Sequence, residues 1–223
     1  FYLMPDFQTL LIWVIPVLLA ITLHEAAHGW TASKFGDHTA RMMGRVTLNP
    51  VKHIDPVGTV IVPLALLIMS TGFIFGWAKP VPINFNALRS PKSGMIWVAL
   101  AGPGANLIMA IGWLFVAILS VNINMPFILK MAGAGIFINL LLAVFNLLPI
   151  PPLDGSRVIS ALLPNPLAYK YNQLERYGFV ILIGLMFVGG FSYIVWPIVG
   201  LALSSLSALS GLNLISLMSY VFS

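Results

Sequence analysis

Leu23-His24-Glu25-Ala26-Ala27-His28 lies near the end of an apolar run that begins around Phe7. Two histidines four apart share one face of a helix, and a carboxylate follows the first. That spacing suits a helical zinc site, with two imidazoles on the metal and an acid placed to activate its water. Ionisable side chains inside a membrane-length apolar segment are costly, so these three groups need a reason to be there.

The rest of the chain is of the same character. Of its 223 residues 59% are hydrophobic and only 8% are charged, and the mean hydropathy is +0.98. A soluble domain carries roughly a quarter charged residues, so the composition predicts an integral membrane protein with several spans. Cysteine is absent, which excludes disulfides, thiolate ligands and a cysteine nucleophile. In a membrane protein a net charge of +5 reports loops facing anionic lipid, not a nucleic-acid partner. The first apolar run carries the histidines and follows no basic leader, so no cleavable signal is expected. We expect residues 1–223 to form a single membrane-embedded domain, with a catalytic core over about 7–155 and C-terminal helices over about 175–221.

Outward from the histidines, Phe7 to Ser33 is long enough to span, with Pro16 as a possible kink. Thr39 to Pro50 mixes β-type residues with Gly44 and closes on Asn49-Pro50, predicting one or two short strands. Val57 to Trp77 is only marginally long enough to cross. Lys79-Pro80-Val81-Pro82-Ile83-Asn84 reads as an extended, proline-stiffened edge strand or loop. Ser93 to Ser120 is a span whose Ala101-Gly102-Pro103-Gly104-Ala105-Asn106 permits close helix approach. Met131 to Pro149 is another, unwound at its end by three prolines in the run Pro149 to Pro152. Broken helices at membrane depth are tolerated where they line a cavity. Arg157 to Arg176 reads as a polar loop, Tyr177 to Tyr193 as a span, and Trp196 to Tyr220 as a span or surface helix. The fold class expected is all-α and polytopic, with about five to six transmembrane helices and a small membrane-embedded β-sheet or re-entrant element after the first.

A catalytic zinc uses three protein ligands and an open position. Among the acids, only Glu25 and Asp154 sit at apolar helix ends, which makes Asp154 the best third ligand beside His24 and His28. Glu25 is then the general base. Asn106 and Asn146 are membrane-depth amides, either bonding between helices or acting as oxyanion donors or clamps on a substrate backbone. His38 and His53 read as loop residues. If His24, His28 and Asp154 share a metal, their helices run parallel, so Val57 to Asn84 must leave and return on one side. Nearly all lysines and arginines then fall on the metal side, with Lys130 opposite and Lys79 undecided. That bias puts the metal toward the cytoplasm in a cell (inner) membrane.

These residues resemble the site-2 protease family of intramembrane zinc metalloproteases. The resemblance rests on His24-Glu25-Ala26-Ala27-His28, Gly44-Arg45-Val46-Thr47-Leu48-Asn49-Pro50, Gly76-Trp77-Ala78-Lys79-Pro80-Val81-Pro82, Gly102-Pro103-Gly104-Ala105-Asn106 and the run from Asn146 to Leu153-Asp154-Gly155. It implies one Zn2+ on His24, His28 and Asp154, Glu25 as catalytic base, and Asn146 and Asn106 near the substrate. It also implies a β-sheet after the first helix, a three-helix catalytic core, and the minimal form without PDZ or CBS domains. Its partners would be the lipid bilayer and single-span membrane proteins, cut within their membrane segments; the oligomeric state is left open. The tail beyond Glu175 matches weakly. The alternative from another class is a membrane metal-ion transporter using the same ligands, which would need a polar route to both faces.

Overall fold

The computed structural model describes residues 7–68 and 76–222. The first apolar run forms α1, Phe7–Lys34, with Pro16 buried inside it and Lys34 in its last turn, where a cation complements the helix dipole. Two long helices follow later in the chain, α4 (Pro91–Asn122) and α5 (Pro126–Asn146). Each opens on a proline, the position where a missing N–H costs no hydrogen bond. Nearer the C-terminus runs α9, Gly190–Ser210. These four, among the described residues, are long and apolar enough to cross a membrane.

α1, α4 and α5 pack on one another, and α9 and α10 (Leu214–Phe222) cover α5. Lipid is as apolar as leucine, so helix association rests on close packing and internal hydrogen bonds. α5 meets that need with the small run Ala132-Gly133-Ala134-Gly135, all buried, ahead of a fully buried Ile136. This is the expected three-helix core.

Between α1 and α4 the expected β-sheet is not seen: the described residues contain no strand. Thr39–Met42 is a helical turn, α2. Asn49 caps a single turn, Pro50–His53. Asp55 accepts from the N–H groups of Val57 (3.0 Å) and Gly58 (2.7 Å), capping a wide turn, Pro56–Ile61. That turn runs into α3, Val62–Ile68. At 1.5 Å per residue the described part of this arm, 56–68, covers about 20 Å. The Trp77 N–H then donates to Gly58 O at 3.1 Å, and Thr59 Oγ1 donates to Trp77 O at 2.8 Å. The chain therefore comes back beside its own starting level, as the shared-metal argument requires.

From Trp77 to Asn84 the backbone is extended but belongs to no ladder. Pro80 and Pro82 have no N–H, and the donors between them and around them are claimed elsewhere. Lys79 N–H donates to His53 O (3.0 Å), Val81 N–H to Glu25 Oε2 (2.7 Å) and Asn84 N–H to Asp37 Oδ2 (2.7 Å). Arg45 Nη2 donates to Lys79 O at 2.8 Å. Side chains thus replace the partner strand that the residue types suggested.

The C-terminal third also departs from expectation. Arg157 to Arg176 is mostly helical: α6 (Asp154–Leu162), α7 (Asn165–Asn172) and a turn over Gln173–Tyr177. The span expected over Tyr177 to Tyr193 is instead the short α8, Gly178–Phe187, and the boundary to α9 falls at Gly189. Gly189 (φ 71°) and Gly211 (φ 72°) adopt left-handed conformations that end helices. Hydropathy is continuous across both, so it could not place these breaks.

Asp37 ties this region together. It is 1% exposed, and its carboxylate accepts from the Thr39 hydroxyl and N–H as well as from Asn84. Burial alone would raise its pKa, but those hydrogen bonds, with His38 nearby, hold it below its ordinary value. A carboxyl whose folded pKa lies below its unfolded one stabilises above the unfolded value, and that stability is lost as pH falls through the folded value. Asp37→Asn should cost about 1–3 kcal/mol at neutral pH by setting an amide donor against backbone donors. It should also flatten the acid limb of stability, read by thermal unfolding of the detergent-solubilised protein against pH.

Candidate metal centre

His24 and His28 lie one turn apart toward the C-terminal end of α1, and both are buried. Asp154 opens α6 after the proline-rich turn that ends α5. That turn doubles back tightly: a Cβ on Gly155 would stand 2.1 Å from Leu147 O and 2.6 Å from Leu148 O. Only glycine allows the fold-back that carries Asp154 to the histidines.

The three side chains converge. His24 Nε2 and His28 Nε2 are 3.0 Å apart, and each lies 3.2 Å from Asp154 Oδ2. The far side of each ring fixes its tautomer. His24 Nδ1–H donates to Asn106 Oδ1 at 2.5 Å, and His28 Nδ1–H donates to Val98 O at 2.7 Å. Both acceptors are oxygens without a proton to give, so in the neutral rings the two Nε2 atoms carry the lone pairs. Asp154 Oδ2 is buried and has no hydrogen-bond partner. Three lone-pair atoms this close repel one another unless a cation lies among them. Two imidazole nitrogens and one carboxylate oxygen form a donor set suited to zinc, and one ligand atom from each residue falls within 4.8 Å of the others.

Gly102 of α4 faces this cluster. A Cβ there would lie 2.4 Å from His28 Nε2 and 2.6 Å from His24 Nε2. The space that a side chain would fill is the space between the ligand atoms. The expected role of the small residues, close helix approach, is met at this point.

The cluster borders a cavity of about 620 Å³, lined by Glu25, Trp77, Pro80, Val81, Asn146 and Phe179 among others, and mostly apolar. Glu25 stands at its wall with Oε2 held by Val81 N–H. Asn146 also lines it, its Nδ2 donating to Leu142 O at 3.0 Å. Trp77 and Phe179 meet edge to face at 5.7 Å between ring centroids. Arg157, which pairs with Glu175 at 2.5 Å, is at the rim.

Asn106 sits elsewhere than a substrate clamp would. It is 0% exposed, and its Nδ2 hydrogens go to Ala20 O (3.3 Å) and Asn139 Oδ1 (2.9 Å). No amide hydrogen is left for an oxyanion, so its oxyanion role is replaced by a bond to the back of His24. His53 is buried against Thr47 O, and His38 lies at the start of α2, both apart from the ligand cluster. Sequence reasoning missed Asn139, although a polar residue in so apolar a helix is itself a signal. The parts played by the Val98 carbonyl and the Val81 N–H had no signal, since any residue carries those groups.

Residues 120–188 match the model of Peptidase family M50. The chain is 40% identical over 191 residues to "Putative zinc metalloprotease YwhC" of Bacillus subtilis, covering 82% of this chain and 84% of that one. Rip2 of Mycolicibacterium smegmatis, under the same description, is 29% identical over 171 residues, 76% of this chain and 64% of its own. "Zinc metalloprotease MJ0392" of Methanocaldococcus jannaschii is 25% identical over 155 residues, 69% and 34% of the two chains. No solved structure matches.

Gly102→Ala should fill the space between the ligand atoms. Zinc content, measured by elemental analysis of the purified protein, should fall from about one per chain to near zero. Helix content by circular dichroism should stay unchanged.

Proposed function

This chain belongs to peptidase family M50 and is a zinc metalloprotease; on that premise we propose that it hydrolyses peptide bonds within the transmembrane segments of single-span membrane proteins. In this reading His24, His28 and Asp154 hold the zinc and Glu25 is the catalytic base. The observation that carries it is the convergence of His24 Nε2, His28 Nε2 and Asp154 Oδ2, inside a bundle whose long helices have membrane length and composition. Three such groups at that depth are costly without a purpose.

Zinc, when bound, polarises a carbonyl and makes water acidic near neutral pH. The chain's own groups do the rest. Glu25 takes a proton from water in the cavity as the water oxygen bonds to the peptide carbonyl carbon, and passes that proton to the departing amine as the C–N bond breaks. The Val81 N–H on Oε2 leaves the carboxylate one fixed orientation for that exchange. Asn146, at the cavity wall, is the candidate clamp on the substrate backbone. A helical peptide bond is shielded by its own hydrogen bonds, so the substrate must unwind locally. The extended stretch from Trp77 to Asn84 beside the cavity offers it a template by strand addition.

The whole chain serves as one membrane-embedded domain in this reading. It is a multi-pass membrane protein, which we place in the cytoplasmic membrane with the metal side inward. The support is the grouping of its lysines and arginines on that side. The transporter alternative finds no favour among the relatives, which carry protease names.

Glu25→Gln tests the reading. Glutamine keeps an acceptor for the Val81 N–H, so the fold and zinc content should persist. Cleavage of a panel of single-span substrates in proteoliposomes should fall by about 10²–10⁴-fold. Cleavage undiminished in this variant, or confined to soluble peptides with no membrane substrate cut, would refute it.

A further inference from the structure

The two imidazoles are oriented by unequal means. His28 is set by one backbone carbonyl, that of Val98. His24 is set by a side chain, Asn106, whose own orientation has to be decided by something else. An asparagine amide can turn over, exchanging its donor and acceptor ends. Turned over, Asn106 would present N–H groups to His24 Nδ1. That would force the proton onto Nε2 and remove the lone pair that faces Asp154.

What prevents this is a chain of bonds running into α5. Asn106 Nδ2 donates to Asn139 Oδ1 at 2.9 Å and to Ala20 O at 3.3 Å. Asn139 Nδ2 in turn donates to Gly135 O at 2.8 Å. A backbone carbonyl cannot donate, so Gly135 O fixes which end of Asn139 faces it. Asn139 Oδ1, by the shorter bond, then fixes Asn106 together with the more distant Ala20 carbonyl, and Asn106 fixes His24. Both asparagines are 0% exposed, so water cannot substitute for a lost partner, and a misplaced donor or acceptor carries its full penalty.

We propose that Asn139 is a positioning residue for the metal centre. It locks the Asn106 amide and, through it, holds His24 in the tautomer whose Nε2 can bind metal, while His28 is independent of it. This rests on the assignment of His24 as a ligand made above.

The test uses two substitutions of equal shape in the full-length protein. Asn139→Thr keeps a hydroxyl that can donate to the carbonyl four residues back, a common helix bond, and accept from Asn106. Asn139→Val keeps neither function. Zinc affinity is measured by chelator competition, with circular dichroism as the control for folding. The valine variant should bind zinc about 10–100-fold more weakly than native, the usual range for loss of a partner behind a ligand. The threonine variant should bind more tightly than the valine one. Should the valine variant not fold, Asn139→Leu takes its place. Native affinity in the apolar variant overturns the proposal, as does equal weakening in the folded threonine and apolar variants. His24→Ala separates the two levels. If it retains native zinc affinity, the ligand assignment has failed. If it loses zinc while Asn139→Val does not, the Asn139 proposal alone has failed.

Discussion

Two imidazole nitrogens and a carboxylate oxygen face one another at about 3 Å inside an apolar bundle, and much of the molecule can be understood as the means of holding them there. In water such groups would be screened and solvated. Among lipid-facing helices they are neither, so each must be oriented by a bond on its far side or neutralised on its near side. The far-side bonds come from α4, through Asn106 and the Val98 carbonyl. The near side is left for a cation. α4 can approach because Gly102 has no side chain to put between the ligand atoms.

The same economy governs the segment between α1 and α4. Its polar backbone cannot be left unpaired at membrane depth, and its prolines forbid a ladder. Asp37, Arg45, Asn49, Asp55 and Glu25 bond to the backbone in place of a partner strand. One of these, Glu25, is also the proposed base. The extended stretch and the metal site are therefore mechanically joined: moving Val81 moves the carboxylate. Gly29, whose Cβ would come within 3.0 Å of Val81, shows how closely that stretch lies on α1.

α5 is the structural centre of the bundle and carries only one polar side chain into it before its end, Asn139. Its neighbours Ala132 to Gly135 are small, which brings α1 and α4 close enough for a hydrogen-bond chain to run from α5 through α4 to α1. Packing by small residues and polar connection across helices are the two sources of cohesion that a membrane interior leaves available, and they coincide here.

The membrane class, the long apolar helices and the candidates His24, His28 and Asp154, which the structure brings together, were all legible in the residues themselves. Hydropathy and the four-residue histidine spacing are local properties, and the cost of burying charge makes His24, Glu25, His28 and Asp154 conspicuous wherever the chain goes. The return of the chain after Gly58 was legible too, from the requirement that distant ligands share one depth. What the chain did in three dimensions decided the rest. β-type residues around Val46 formed no strand among the described residues, and the N–H groups of Lys79, Val81 and Asn84 went to His53, Glu25 and Asp37 instead. The helix breaks at Gly189 and Gly211 depended on backbone torsion, to which hydropathy is blind. Whether Asn106 faced a substrate or a histidine turned on which neighbours took its amide hydrogens, and those neighbours, Ala20 and Asn139, are brought to it only by the packing of three helices.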